Sequence, residues 1–441
     1  MRNERNTRVW PGMLRRGAAL LPALLVAAVL FAGLAQAKSS AEPGPKKPLM
    51  AAFVRDGALW VKVDGSGEKR LTEANQVRSP KWSADGAWIA YTRGENGQDL
   101  WMVHVPSGKS RLVATGTDAR LHEWSPNRGL LAFMKNQRLY VVGTADTSQP
   151  VEMTGAVGEI GNYAWLPNGN GLLVSTAAHL LPDGNWTPVK LEEIMLPGGA
   201  AAGGGPAAQA KTLAVLPAKL NDQVVVDTST FKWSASGKWI AFLAMPTASL
   251  SADGNTLCVL SADGKRLLPV DMMANNSNWF EWPEQGDSLA YISGIGREAI
   301  TNKQLKVAVA PAFRPGPSYT PVHDVDQNFT WLTNSDIVVQ RAKESGTIGD
   351  PNRRPYPNLV NVKLSGQQKR ITRTSTEAGD YQPVALGANG LAWVRSNKTK
   401  ADVMLAPQDK IGKKASVWIK GIDIGDNFYE QWDWGPVLKF Y

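Results

Sequence analysis

The residues able to do chemistry are few and scattered. Four histidines stand at 104, 122, 179 and 323, with no spacing that would gather them on one metal. His104 falls inside an apolar strand pattern and His122 directly precedes a tryptophan strand, which gives both a structural reading. His323-Asp324-Val325-Asp326 is an acidic stretch predicted to be a loop, but a lone acidic loop is a poor cation site. No Gly-x-Ser-x-Gly elbow offers an activated serine. Gly108-Lys109-Ser110 has Val103 where a phosphate-binding loop needs its first glycine. The single cysteine, Cys258, excludes an intramolecular disulfide and a cysteine zinc cluster; in Leu257-Cys258-Val259-Leu260 it reads as a small buried apolar side chain. No cofactor or metal is expected, and the chemistry points to binding rather than catalysis.

Binding residues are sought instead where long loops sit on a rigid frame. Trp186, Ile194 and Met195, together with Arg353, Arg354 and Tyr356, are the candidates, because aromatic, apolar and arginine side chains are the usual anchors of interfaces.

The frame follows from an internal repeat. One pattern, a Trp, a turn of Ser, Asp, Asn or Gly, and a short apolar return strand, recurs eight times. It reads Trp82-SADGAWIA-Tyr91, Trp124-SPNRGLLA-Phe133, Trp165-LPNGNGLL-Val174, Trp233-SASGKWIA-Phe242 and Trp282-PEQGDSLA-Tyr291. Trp331-LTNSDIVVQ is degenerate, Val384-ALGANGLA-Trp393 has lost its first Trp, and Trp432-DWGPVLK-Phe440 ends the chain. Asp-Gly, Asn-Gly and Ser-Gly pairs supply the positive φ of tight turns. A third apolar strand and a basic outer strand, as in Lys69-RLTE and Lys369-RITR, complete each unit. Such units bury both faces only when stacked side by side. Trp82, Trp124, Trp165, Trp233, Trp282, Trp331 and Trp432 are expected to be structural plugs between neighbouring sheets, each ring worth roughly 2–3 kcal/mol.

These units resemble the WD40-like (PD40) repeats of TolB-type proteins, with Trp82-SADG, Trp124-SPN and Trp233-SASG carrying the likeness over about residues 50–441. The resemblance implies an all-β fold: a single closed β-propeller of four-stranded blades, eight by this count and seven if a degenerate unit drops out. It is specific for fold and weak for function. The separate N-terminal α/β domain of TolB has no counterpart between leader and first repeat.

The ring is expected to close by pairing the termini in one blade. Residues 51–72 lack a leading strand, and Phe428-YEQ-Trp432 is predicted to supply it; Val437–Phe440 and Ala51–Val54 compete for one slot.

Loops between second and third strands open on one face. They are short in the third unit (Lys135–Gln137) and long at about 177–211, 244–255, 294–303 and 341–357. Four consecutive blades thus elaborate one sector of one face.

Residues 1–37 have the layout of a secretory signal or an uncleaved N-terminal anchor: Arg2, Arg5, Arg8, Arg15 and Arg16, the apolar run 17–34, then Ala35-Gln36-Ala37. Residues 38–49 form a linker and 50–441 the propeller. The net charge of +9 falls to +5, with 43 basic and 38 acidic residues, once the leader is set aside. That mild bias is compatible with anionic cell-surface partners but is no evidence for nucleic acid, which is not expected as a partner. The expectation is an extracytoplasmic monomer, touching a membrane only through its N-terminal segment, that binds a protein or a cell-envelope polymer. The alternatives are a propeller enzyme of lyase or hydrolase type with its site at the central channel, and the propeller half of a prolyl-oligopeptidase-like enzyme.

Overall fold

The computed structural model describes residues 48–441 apart from 96, 118–120, 156, 197–209, 347–353 and 374–376. The leader and Arg353 lie outside the described residues.

Alternating apolar strands joined by glycine turns fold into eight antiparallel sheets arranged as a closed β-propeller. Blade 1 combines the two ends of the chain: Leu438–Phe440 is its inner strand, followed outward by Met50–Arg55, Ala58–Val63 and Glu68–Arg70. Blades 2 to 5 span 78–114, 122–152, 160–215 and 227–273; blades 6 to 8 span 280–309, 324–370 and 379–422. Blade 6 has three strands; Tyr319 N donates to Leu305 O at 2.9 Å and Leu305 N to Thr320 Oγ1 at 2.8 Å, so an irregular segment takes the outer position.

The termini pair in one blade, as expected from the sequence, but the segment that closes the ring is a different one. Leu438–Phe440 pairs antiparallel with Met50–Arg55, Phe53 opposite Leu438 and Ala51 opposite Phe440. The two segments are neighbours in the sheet, not rivals for one slot. Phe428 and Trp432 belong to a separate hairpin, Asp426–Phe428 with Gln431–Asp433, outside every blade. Trp432 is therefore not a blade tryptophan.

In blade 4 the third strand is Lys190–Met195, not the segment from Thr212, and Ala210–Val215 is the outer strand. The loop between second and third strands accordingly stops at 189.

The blade tryptophans do more than fill space. Trp82 Nε1 donates to Lys439 O (3.1 Å), Trp124 to Lys81 O (2.9 Å) and Trp165 to Glu123 O (3.0 Å). Trp282 Nε1 donates to Lys232 O (2.9 Å) and Trp331 to Glu281 O (3.0 Å). Each indole thus buries its ring between sheets and ties its blade to the inner strand of the blade before. A buried N–H needs such a partner. Trp233 lacks one; the inner strand of its blade is split into Asp227–Thr228 and Lys232–Trp233.

Candidate functional site

Strand alternation gives the ring two faces. The loop face carries the second-to-third-strand loops and the links between blades; the turn face carries the remaining turns.

At the loop face the hairpin 426–433 lies across the channel. Asn276 Nδ2, on the link between blades 5 and 6, donates to Gln431 Oε1 (3.1 Å), and Gln431 Nε2 donates to Arg297 O (2.7 Å). Asn328 Nδ2 of blade 7 donates to Trp432 O (3.0 Å), and Trp434 N donates to Gln382 Oε1 of blade 8 (2.7 Å). Arg78 of blade 2 pairs with Asp426. Contacts to blades on opposite sides of the ring make the hairpin a plug. Its apolar root is Trp432 stacked on Trp434, 5.8 Å between centroids, with Tyr381 beside both.

The hairpin tip is built against backbone preference. Tyr429 and Glu430 have φ of 52° and 65°, the conformation that two-residue hairpin turns normally give to Asn and Gly. Other L-residues are strained there. The strain is held by Glu430, whose carboxylate meets Arg354 at 3.3 Å and Lys398 at 3.2 Å, all largely buried, and by Ala299 N donating to Tyr429 O at 3.0 Å. Phe428 and Tyr429 nevertheless remain about half exposed, at 52% and 43%.

Around this tip the loops of blades 5 and 6 are joined. Gly296 N donates to Asp253 O (2.6 Å), Arg297 forms a two-pronged pair with Asp253, and its guanidinium lies 5.5 Å from the Tyr429 ring centroid. Leu250 and Ile295 project from these loops into solvent. Of the twelve large apolar side chains exposed on the described surface, seven stand in the loops and links of the loop face: Leu180, Leu181, Leu250, Ile295, Val322, Phe428 and Tyr429. They come from blades 4 to 6, the link into blade 7, and the plug.

The six candidates from sequence fare unevenly. Trp186 is half-buried in a small loop-face hairpin, bridged to Leu180. Ile194 is fully buried in the third strand of blade 4, so its side chain offers nothing to a partner. Met195 is exposed, but at the turn-face end of that strand. Arg354 is committed to Glu430, and Tyr356 lies against blade 8, its hydroxyl donating to Asn397 O at 3.4 Å with Lys398 over its ring. Sequence reasoning missed Phe428, Tyr429, Leu250 and Ile295. The adjacent Phe-Tyr pair in a polar stretch was the available signal, masked by the assignment of 428–432 to a blade.

The histidines stay apart. His104 Nδ1 is 2.9 Å from Ser107 Oγ, His122 Nε2 is 3.0 Å from Ser79 O, and His179 Nε2 is 3.5 Å from Glu159. His323 adjoins a strand, Asp324–Thr333, where a loop was predicted, and Asp326 is bound by Arg341. Among the described residues no group of three His, Cys, Asp or Glu is placed to hold a metal. Burial pushes the Cys258 thiol up to about 12.

Lys303, behind the blade 6 loop, is wholly buried, its ammonium donating to Ile295 O (3.1 Å) and Thr301 O (3.0 Å). Burial pulls its pKa from 10.5 down to about 8, against the opposing pull of Glu298 and Glu344. Between those values the unfolded chain holds the extra proton, so this lysine destabilises the fold below about pH 8 and ceases to do so above about pH 10.5. Lys303→Met should therefore change stability relative to the parent by an amount that differs, on the order of 2 kcal/mol, between about pH 7.5 and pH 10, the variant being relatively better at the lower pH. Urea midpoints at both pH values measure it; an equal gap at both refutes the assignment.

No family model matches the chain. TolB of the Tol-Pal system from Desulfosudis oleivorans is 29% identical over 92 residues, 20% of this chain and 21% of the relative. TolB from Rhizorhabdus wittichii is 38% identical over 69 residues, 15% and 16% of the two chains. The chain thus matches only about a fifth or less of the length of these curated relatives. Among solved structures, dipeptidyl peptidase 4 from Porphyromonas gingivalis aligns with a TM-score of 0.51 at 10% identity, covering 80% of this chain and 55% of that one. TolB from Acinetobacter baumannii aligns with a TM-score of 0.34 at 16% identity, covering 60% and 62%. The fold is a TolB-like eight-bladed β-propeller.

Proposed function

We propose that this chain is an exported, non-catalytic binding propeller whose partner is a protein or cell-envelope polymer seated on the loop face over the plug tip and the loops of blades 5 and 6. The observation that carries the reading is the tip itself. Phe428 and Tyr429 are held in the open on a turn where Asn-Gly would fold at lower cost, and exposed aromatic side chains on a rigid, strained mount are interface anchors. Leu250 and Ile295 extend the apolar surface beside them. Short sequence matches to proteins named for the Tol-Pal system favour an envelope setting, and residues 1–37 fit an export signal.

The test is affinity capture from an envelope extract with residues 38–441, beside the triple variant Ile295→Ala, Phe428→Ala, Tyr429→Ala and a turn-face control, Met195→Ala. The triple variant should lose a specific partner by about tenfold or more while the control keeps it, because hot-spot anchors cost about 2 kcal/mol or more each when truncated. Equal recovery by all three proteins would reject the loop face as the binding surface.

A further inference from the structure

A cleft between blades 7 and 8 lies apart from the surface described above. It holds about 210 Å³ between the end of the outer strand of blade 7 and the loop joining the third and fourth strands of blade 8. Its apolar floor includes Trp393 and Met404, both buried. Every charged residue that lines it is a cation: Arg373, Arg395, Lys413 and Lys414. No lining residue belongs to the plug or to the loops of blades 5 and 6.

The four cations are held differently. Asp380 is wholly buried and accepts a bond from Trp393 Nε1 at 2.8 Å. It fixes Arg395 through a two-pronged pair, Nε to Oδ1 at 2.8 Å and Nη2 to Oδ2 at 3.0 Å. That pair uses one edge of the guanidinium and leaves Nη1 able to donate elsewhere. The Arg395 side chain is 35% exposed, so this second edge can be reached. Lys413 N and Lys414 N both donate to Lys410 O, at 2.8 and 3.0 Å, which sets the turn that carries the two lysines. Lys413 Nζ makes one long bond, 3.4 Å to Asp409 O. Among the described residues the side chains of Arg373 and Lys414 make no hydrogen bond or ion pair.

With Asp380 set against Arg395, the other three cations have no acid to meet them in the cleft. The sequence around it adds to this charge. Between residues 363 and 420 stand eleven Lys and Arg against four Asp and Glu, whereas the rest of the chain after residue 37 is slightly acidic. A cleft of one sign with walls of low dielectric focuses the field and gathers counter-ions. The guanidinium fork suits phosphate and carboxylate alike. A single carboxylate leaves most of the positive charge unmet, whereas a phosphate monoester brings about −1.5 to −2 near pH 7. The volume equals that of about seven water molecules in the liquid, room for a phosphate and a small organic body.

We propose that this cleft binds a small phosphate monoester, its phosphate on Arg373, Arg395 and the two lysines and its organic body on Trp393 and Met404. The site shares no residue with the proposed docking surface, so the two stand or fall separately.

Calorimetric titration of the full chain at about pH 8, where phosphate monoesters are dianions, tests this. The probes are phenyl phosphate, phenyl sulfate and inorganic phosphate. Phenyl phosphate should bind at least about tenfold more tightly than phenyl sulfate, which has a similar shape and one charge. It should exceed inorganic phosphate, which has no organic body, by the same factor. The double variant Arg373→Gln, Lys414→Gln should weaken phenyl phosphate by about tenfold or more. Both residues are exposed and unpaired, so the fold does not depend on them. The control Lys363→Gln, Lys369→Gln removes the same charge from exposed positions of blade 7 outside the cleft. At physiological ionic strength it should change the affinity by less than about twofold. Absence of phenyl phosphate binding, equal binding of either other probe, or equal affinities in the two double variants would overturn the proposal.

Discussion

Removing residues 437–441 is expected to unfold the propeller, not merely to fray one edge. The five residues include Val437 and Leu438, both buried, and the whole inner strand of blade 1. Val54 N donates to Val437 O (2.8 Å), Tyr441 N to Met50 O (3.0 Å) and Trp82 Nε1 to Lys439 O (3.1 Å). Burial of each aliphatic side chain is worth about 1.5–3 kcal/mol and each hydrogen bond about 1 kcal/mol. Their sum is comparable with a whole domain's stability of about 5–15 kcal/mol. The loss also exposes the edge of Met50–Arg55 and unpins blade 2. Urea unfolding followed by tryptophan fluorescence should show no cooperative transition, or a midpoint far below that of the parent. A truncated chain with an unchanged midpoint would show that the ring holds without this closure.

The second large effect lies in blade 7. Asp326 is fully buried and meets Arg341 through two bonds, Nε to Oδ1 at 2.5 Å and Nη2 to Oδ2 at 2.6 Å. Thr320 Oγ1 donates to Asp326 Oδ2 at 2.7 Å, and Arg341 Nη2 also donates to Tyr319 O at 3.1 Å. The pair therefore clamps the irregular outer segment of blade 6 to the second strand of blade 7. Removing one partner leaves a buried charge uncompensated, at a cost of about 3–5 kcal/mol. Asp326→Ala should lose that much by equilibrium denaturation. The double variant Asp326→Leu, Arg341→Met should recover much of it, because two apolar groups leave no orphan charge. A single variant within about 0.5 kcal/mol of the parent would refute the clamp.

The same residue shows where sequence reading reaches its limit. Asp326 was visible as part of an acidic stretch, but its meaning depends on Arg341, and a stretch read as a loop turned out to begin a strand. Ile194 and Met195 were taken for loop residues because Lys190–Met195, with Glu192 and Glu193 at its centre, is a poor match to the apolar third strands of other blades. Ile194 is buried because its strand is central in blade 4, paired by Leu172 and Ala210, and its side chain packs in one cluster with Leu130, Met134 and Leu139 of blade 3, neither of which any local pattern records.

What the sequence determined by itself was the blade, its number and the joining of the termini. Those follow from local chemistry: a large ring at a fixed slot, positive-φ turn residues after it, and strands of period two that need covering on both faces. The tertiary structure alone decided which terminal segment closes the ring, because Trp432 and Phe440 both satisfy the local pattern and only the pairing of Leu438–Phe440 with Met50–Arg55 separates them. It alone also made the plug and the clamp. Those depend on partners such as Asn276 and Gln431, 155 residues apart in the chain, that closure of the ring brings within hydrogen-bonding distance.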